Sequence, residues 1–352
     1  MRIAPVPPAL DRAAGWAWRL LVCAAFAVAV LVLLWYVRVI VLPSVIAVTI
    51  APALTPVADW LRARGLRRAA PGLALAIGLL VVAALVTVVA TSVVAQWEEL
   101  VEAARDGVRR VIDVLEGEPF NVSVTERDEL DASLGDAWSA ASDYLVTGLR
   151  AGVGFLTGTV LAVALLYFLL RDGRAFWRWL VRRFGRENQA GLDRAGWRAW
   201  SVLGGFVRGT ALIAFIDAAL IGIGLWLLGV PLAFALAVLI FLGSFVPFVG
   251  ATISGLVAVL VAYADADWQK ALIVLGLVIG VQFLEGNFLQ PIIQSRTVDL
   301  HPAVILLAVA AGASLFGILG AYLAVPVTAI AFAAVASLAE EATAAPSPPP
   351  PG

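Results

Sequence analysis

Cysteine, histidine and lysine are nearly absent from this chain of 352 residues, which contains one of each: Cys23, His301 and Lys270. A single cysteine excludes a disulfide within the chain. With one histidine and one cysteine, the ligand sets typical of zinc sites cannot form. No pairing of a nucleophile with a base is visible either. The sequence therefore predicts a protein that is not an enzyme and that holds no metal or cofactor.

Charged residues are scarce as well. They make up 14% of the chain, whereas 62% of its residues are hydrophobic. A soluble domain has about a quarter charged and about half apolar residues. The composition is that of a membrane protein, so the lipid bilayer is one expected partner. The net charge of −1 gives no support for nucleic acid as another.

Six apolar runs are long enough to cross a bilayer as helices, which takes about 20 residues. Arg38 separates the first two runs and leaves room only for a tight connection. The predicted fold class is an all-α polytopic membrane protein of about six spanning helices. The six runs cover residues 15–37, 39–60, 71–95, 152–170, 204–228 and 270–290.

Two further apolar tracts, 231–263 and 302–339, are too long for one span. Each is interrupted near its middle, by GSFVPFVG at 243–250 and by GASLFGILG at 312–320. Each half would form a helix of roughly 16 Å, about half the bilayer core. The pattern predicts two broken, re-entrant hairpins, and paired interruptions of this kind point to the binding site of a transporter. Two long, kinked spanning helices are the alternative.

The placement of arginine predicts the orientation. Residues 59–68 carry four arginines against one acid, and residues 171–198 carry eight against three. Residues 96–150 carry thirteen acids against five arginines. By the positive-inside rule the first two segments are cytoplasmic and the third is outside. We therefore expect a multi-pass protein of the bacterial cytoplasmic (inner) membrane with both termini in the cytoplasm.

These signals divide the chain into seven regions. The outer region has helical spacing of apolar residues and is predicted to form amphipathic helices. The Arg/Trp-rich region suits an interfacial helix on an anionic leaflet, and the Pro-rich tail is expected to be disordered. In order, the regions are a cytoplasmic N-terminus at 1–14, three spans at 15–95, the outer segment at 96–150, a fourth span at 151–170, the interfacial helix at 171–203, a transport core with two broken-helix repeats at 204–340 and the tail at 341–352.

Two local motifs predict packing and a helix end. Gly154–Gly158 and Gly276–Gly280 have the GxxxG spacing that lets helices approach closely. His301 precedes Pro302, and proline is favoured in the first turn of a helix. His301 is therefore expected at a helix start.

Two acids, Asp217 and Glu285, lie inside predicted spans. An ionised acid at the bilayer centre costs on the order of 3 kcal/mol, so such a residue is expected to be paired, to face water or to be protonated. Asp217 lies near the middle of its span and has no basic residue one turn away, so any partner must come from another helix. Glu285 either lines a site for substrate or a coupling cation, or is a structural, hydrogen-bonded acid.

The stretch QFLEGNFLQP at 282–291 surrounds Glu285 with polar residues. Gln282 lies one turn before Glu285 on the same face, whereas Asn287 points elsewhere. Gly286 and Pro291 favour a loosened helix whose free carbonyls line a site. The predicted substrate- or ion-binding residues also include hairpin-tip positions that supply backbone groups. The full set is Glu285, Asn287, Gln282, Asp217, Pro247, Gly250, Gly317 and Gly320.

Four stretches of the chain carry a close resemblance to a known family. LEGNFLQPIIQSRTVDLHP at 284–302 and LLAVAAGASLFGILGAYLAVP at 306–326 are similar to the C-terminal signature of the autoinducer-2 exporter family of bacterial permeases. LGVPLAFALAVLIFLGSFVPFVGATISG at 228–255 resembles its central segment, and YFLLRDG at 167–173 its junction after the outer region. The matching positions are Pro247, Gly250, Glu285, Pro291, His301, Pro302, Gly317, Gly320 and Pro326; Asp217 matches no motif.

The resemblance, which covers about residues 28–337, implies an inner-membrane homo-oligomer that exports small solutes. Members have been linked to autoinducer-2 and others to sodium/proton exchange, so the substrate stays open. We expect a transporter of a small polar solute, such as autoinducer-2, driven by an ion gradient. A sodium/proton antiporter is one alternative. The other is a non-transporting membrane scaffold that recruits partners through residues 96–150 or 172–200.

Overall fold

The computed structural model describes residues 36–116, 156–245, 250–265, 268–294 and 301–343, together with 15–19, 21–23, 25–26, 135–136 and 139. The predictions for 1–14, for most of the first span, for most of 117–150 and for the last nine residues of the tail lie outside the described residues. So does Pro247.

All regular structure in the described residues is helical, which confirms the all-α fold class. A π-helical turn, Ala90–Val94, continues α2, and a second one, Glu285–Leu289, joins α8 to α9. The helices are α1 Arg38–Ala63, α2 Ala70–Val89, α3 Trp97–Glu116, α4 Leu156–Val181, α5 Arg186–Leu227, α6 Ala233–Gly243, α7 Gly250–Asp265, α8 Trp268–Leu284, α9 Gln290–Gln294 and α10 Pro302–Thr343.

Four stretches of the described residues are long and apolar enough to cross a membrane. They coincide with the second, third, fifth and sixth predicted spans, and the fourth predicted span is helical from Leu156 onward in α4. The four stretches are Val39–Ala63, Ala70–Val94, Gln189–Leu227 and Trp268–Ile293.

The region 171–203 forms the ends of two helices, where the sequence predicted one interfacial helix. α4 continues without a break to Val181, and α5 begins at Arg186 after Gly185, whose extended backbone (ψ 146°) ends the turn. The two ends pack together, because the Trp177 indole donates a hydrogen bond of 3.1 Å to Asp193. The position of this region relative to a leaflet stays a prediction.

The first interrupted tract is a helical hairpin of α6 and α7. A Cβ built on Gly243 would lie 2.7 Å from the Gly250 carbonyl oxygen, so the backbones of the two arms touch beside the tip. At the other end, Lys270 at the start of α8 donates to the Gly229 carbonyl (3.4 Å) and to Asp265 (2.8 Å). The first arm therefore begins, and the second arm ends, beside the end of α5 and the start of α8.

The second interrupted tract also doubles back. α10 is helical throughout its length, but Gly317 has φ 62° and breaks its direction. In a straight helix Gly312 and Gly320 would be about 12 Å apart along the axis. Instead, a Cβ on Gly312 would collide with the Gly320 carbonyl and lie 3.0 Å from Ala324. These contacts exclude the alternative of two long spanning helices.

Two hydrophobic cores hold the bundle together. One joins the end of α2 to α3, the C-terminal half of α5, the first hairpin and α8. The other joins α1, the start of α2 and α4. Of the GxxxG residues, Gly154 lies outside the described residues, and a Cβ built on Gly158 would lie 3.4 Å from the Pro43 side chain of α1, so these two helices pack closely. Gly276 and Gly280 do not pack as predicted, because a Cβ on either would meet nothing within 4 Å.

Candidate functional site

Helices α5 and α8 run antiparallel and approach closely at Gly224. A Cβ built on Gly224 would collide with the tip of the Leu277 side chain, so the two helices are in direct contact there. Asp217 lies seven residues before Gly224, and Glu285 lies eight residues after Leu277. Both steps are about two helical turns in the same direction along the pair. The packing register therefore brings two acids that are far apart in sequence to the same level.

The Glu285 carboxyl interacts electrostatically with that of Asp217. Asp217 is 1% exposed, and neither of its oxygens has a hydrogen-bond partner of acceptable geometry among the described residues. Its neighbours on α5, Ala214 and Ile221, are equally buried and apolar. A buried carboxyl without a donor is costly, and the charged neighbour that the structure gives it is a second carboxyl. We refer to Asp217 and Glu285 as the acid pair.

The turn that carries Glu285 is wider than an α-helical turn. The backbone is π-helical over Glu285–Leu289, and the N–H of Gln290 bonds to the Glu285 carbonyl. Pro291 contributes to this change, because it has no N–H to donate to the Asn287 carbonyl. The predicted loosening of the helix is confirmed. π-helical turns are frequent at functional sites.

Glu285 also accepts a hydrogen bond from Gln290, a residue that the sequence did not single out. Its Nε2 donates a hydrogen bond of 3.1 Å to Glu285 Oε1 across five residues. Spacing for an α-helix puts positions 285 and 290 on different faces, so only recognition of the π turn would have found the pair. Asn287 bonds instead to the Phe283 carbonyl of its own helix (2.9 Å). Gln282 is half-buried one turn before Glu285.

The described residues near the hairpin tips form a second group. Phe245, at the end of the first arm of hairpin one, packs edge to face on Tyr322 of hairpin two, with ring centroids 5.9 Å apart. Phe206 of α5 lies 5.7 Å from the same tyrosine ring. The two hairpins thus meet each other and α5 through aromatic contacts. Gly250, Gly317 and Gly320 belong to these tips rather than to the acid pair.

Arg208 is a cation within α5 that sequence reasoning overlooked. It donates a hydrogen bond of 3.0 Å to the Pro52 carbonyl of α1. That carbonyl is available because Pro56, one turn later, has no N–H. Arg208 lies nine residues before Asp217, about half a turn away around the helix. It therefore faces α1 and is not the counter-ion of the acid pair.

No group of three or more histidine, cysteine, aspartate or glutamate residues that could hold a metal ion occurs within the part of the chain that the structure describes. The acid pair has two carboxylates and the amide of Gln290. This set suits a proton or a single monovalent cation better than Ca²⁺ or Mg²⁺, which take six or more oxygen ligands.

Comparisons with known proteins agree with the architecture. The family described as "AI-2E family transporter" matches residues 24–340. "Putative transport protein MT0215" of Mycobacterium tuberculosis (strain CDC 1551 / Oshkosh) is 37% identical over 334 residues, which cover 93% of this chain and 90% of that protein. "Putative transport protein YhhT" of Escherichia coli (strain K12) is 25% identical over 293 residues, or 83% and 82% of the two chains.

The family match extends over the hairpins, the acid pair and the two motifs at 284–302 and 306–326 that carried the resemblance, which is thereby confirmed. This is a family of transporters and not of enzymes, which agrees with the helices long enough to span a membrane. The chain is a multi-pass membrane protein that belongs to the AI-2E transporter family.

Proposed function

We propose that the protein exports a small polar solute, such as autoinducer-2, and that an ion gradient drives the export through the acid pair. The observation that carries the proposal is the juxtaposition of Asp217 and Glu285 between α5 and α8. Two like charges in a poorly hydrated site repel each other strongly. A proton or a monovalent cation between them would remove that repulsion. Occupancy of the pair would then bias the protein between two conformations.

The hairpins support the same mechanism. Broken helices at membrane depth are tolerated where protein or a water-filled cavity surrounds them, and in transporters they line the substrate site. The contact of Phe245 with Tyr322 joins the two tips. If binding of a cation at Glu285 shifts α8, the shift would be passed to the hairpin tips through α5, because α5 contacts both hairpins. Gln282, Gly250, Gly317 and Gly320 are the positions that we assign to the solute pathway; Asn287 and Pro247 stay proposals from the sequence.

The proposal includes the setting. The arginine-rich ends of α1 and α4 would lie in the cytoplasm, with both termini, and the protein would form a homo-oligomer in the bacterial inner membrane. The support is the charge distribution of residues 59–68, 171–198 and 96–150, together with the family resemblance.

The test uses purified protein in vesicles, a panel of small polar solutes, and proton or sodium gradients. Glu285→Gln and Asp217→Asn keep the side-chain size and remove the charge. Each should lower gradient-driven flux by about tenfold or more, which is the factor that a typical coupling free energy between two sites produces. Asp172→Asn is the matched control, because Asp172 is an exposed acid beside Arg171. Acid-pair variants that fold and transport normally would refute the site, as would a control variant that fails equally.

Sodium/proton exchange is a second candidate, favoured by the same acid pair because either cation could occupy it in turn. The discriminating measurement omits the solute. If sodium alone collapses a pH gradient across the vesicles, and Glu285→Gln abolishes this, exchange of the two cations is the function. If the gradient collapses only when the solute is present, solute export is the function.

A further inference from the structure

Five arginines gather at one end of the bundle, where α1 ends, α2 begins and α4 passes. The second hydrophobic core packs Leu61, Ala70 and Leu170 together. The residues that flank these three positions therefore lie at the same end. We call them the arginine rim: Arg62, Arg64, Arg67, Arg68 and Arg171.

Two members of the rim are fixed in place. Arg62 forms a 2.7 Å ion pair with Asp59 and also donates to the Leu170 carbonyl, so it ties α1 to α4. The guanidinium of Arg64 lies over the Trp60 ring, 3.7 Å from its centroid. A stacked guanidinium keeps its N–H groups free at the edges for an anion. Arg64 is therefore held in position without using its hydrogen bonds.

The rim has an excess of positive charge. Its acids are Asp59 and Asp172, paired with Arg62 and Arg171 respectively. Five cations less two acids leave three, which are Arg64, Arg67 and Arg68; none of these has an ion-pair partner in the described part of the chain. They occupy the turn between α1 and α2, directly before the N-terminus of α2, whose helix dipole adds further positive potential.

Exposed apolar side chains surround the rim. Trp60 is 51% exposed and Phe168, on the adjacent α4, is 56% exposed. Only 11% of the most apolar part of the stretch Ala70–Val94, which α2 begins, is buried inside the protein. α2 thus presents an apolar surface that lipid could cover, and the arginine rim lies at the N-terminal end of this helix. Aromatic residues beside a basic cluster are typical of the level of the lipid headgroups.

We propose that Arg64, Arg67 and Arg68 bind the phosphate of an anionic phospholipid in the leaflet at this end of the bundle. Arginine forms paired hydrogen bonds with phosphate, and clusters of basic residues directly beside a spanning helix bind anionic headgroups. Trp60 and the apolar surface of α2 would contact the glycerol and acyl chains. The lipid would thereby attach to the α1–α2 connection. This site is independent of the acid pair.

The experiment measures lipid binding to the full-length protein in a neutral detergent, by native mass spectrometry and by thermal unfolding. The probes are phosphatidylglycerol, phosphatidylcholine and inorganic phosphate. Wild-type protein should retain phosphatidylglycerol in preference to phosphatidylcholine. Phosphatidylglycerol should also raise its unfolding temperature more. The triple variant Arg64→Gln, Arg67→Gln, Arg68→Gln should bind phosphatidylglycerol about a hundredfold more weakly, at the usual contribution of each basic residue near a lipid surface.

A matched triple variant removes the same charge elsewhere. Arg178 of α4 and Arg182 and Arg183, which follow its end, are exposed and lie outside the arginine rim, so their loss should weaken this binding much less. Equal losses in both triple variants would reduce the effect to net charge and overturn the site. Equal stabilisation by inorganic phosphate would assign the rim to a soluble anion and overturn the lipid. If the glutamine variant does not fold, replacement of the three residues by lysine keeps the charge and should still weaken binding.

Discussion

Prolines decide, at the scale of single residues, where backbone carbonyls become available inside the helices. Pro56 leaves the Pro52 carbonyl without its helical donor, and Arg208 of another helix bonds to it at 3.0 Å. Pro291 does the same for the Asn287 carbonyl, and the helix responds by widening into the π turn that carries Glu285. One proline thus serves helix packing and the other shapes the candidate site.

His301 provides a residue-scale prediction. Its Nδ1 accepts a hydrogen bond of 3.2 Å from the Ala303 N–H, which caps the first turn of α10 and confirms the helix start expected there. Loss of such a cap costs about 1 kcal/mol, or roughly 2 °C in a protein of this size. His301→Ala should lower the midpoint of thermal unfolding in detergent accordingly. His301→Asn, which restores an acceptor, should recover most of it; equal midpoints for all three proteins would contradict the cap.

At the scale of elements, close backbone contacts hold the hairpins. The arms of the first hairpin touch at Gly243 and Gly250, and those of the second at Gly312 and Gly320. A Cβ on Gly243, Gly250 or Gly312 would meet a backbone carbonyl of the other arm, which cannot move aside as a flexible side chain can. These glycines are therefore required by close approach, whereas Gly317, between the arms of the second hairpin, is required by its backbone angle.

We predict that Gly250→Ala and Gly312→Ala disrupt their hairpins and abolish transport. Overpacking of this kind typically costs 1–3 kcal/mol or more, so the unfolding temperature should also fall. Gly280→Ala is the matched control, since a Cβ there meets nothing within 4 Å. It should be neutral or slightly stabilising, because alanine favours helix over glycine by up to about 1 kcal/mol. Unfolding midpoints and vesicle flux measure both effects, and a normal Gly312→Ala protein would contradict the reversal of α10.

The elements could largely be predicted from the sequence, but the pairs between them could not. Run length predicted the spans, and the interruptions at 243–250 and 312–320 predicted the hairpins, because both signals are local. The acid pair depends on the register of α5 against α8, in which Gly224 lies against Leu277. Nothing local encodes that register. The same reason hid the Arg208 contact with α1.

At the scale of the whole molecule, the two hairpins start from opposite ends of the bundle. Lys270 places the base of the first beside the start of α8. From Gln294, near the other end of that helix, seven residues lead to His301 and can reach at most about 25 Å. A bilayer core is about 30 Å thick, so the second hairpin must start at the arginine-rich end. The tips then meet within the bundle, as the contact of Phe245 with Tyr322 requires.

This arrangement predicts the accessibility of single cysteines. In a Cys23→Ser background, Asp267→Cys flanks the base of the first hairpin and Ser295→Cys precedes the second. Glu98→Cys on α3 and Arg178→Cys on α4 serve as references for the two sides, because both residues are exposed. An impermeant thiol reagent added to intact cells should label positions 98 and 267, and should label 178 and 295 only after the membrane is permeabilised.

Each pattern of labelling decides a separate question. If positions 267 and 295 were labelled from the same side, the two hairpins would start from the same end of the bundle, and the arrangement inferred above would be wrong. If all four positions exchanged sides together, the hairpins would stand and the orientation from the arginine count would be wrong. A flux assay on the same variants separates these outcomes from loss of folding. Position 178 is remote from both hairpins and from the acid pair, so the Arg178→Cys variant should transport at the rate of the Cys23→Ser parent.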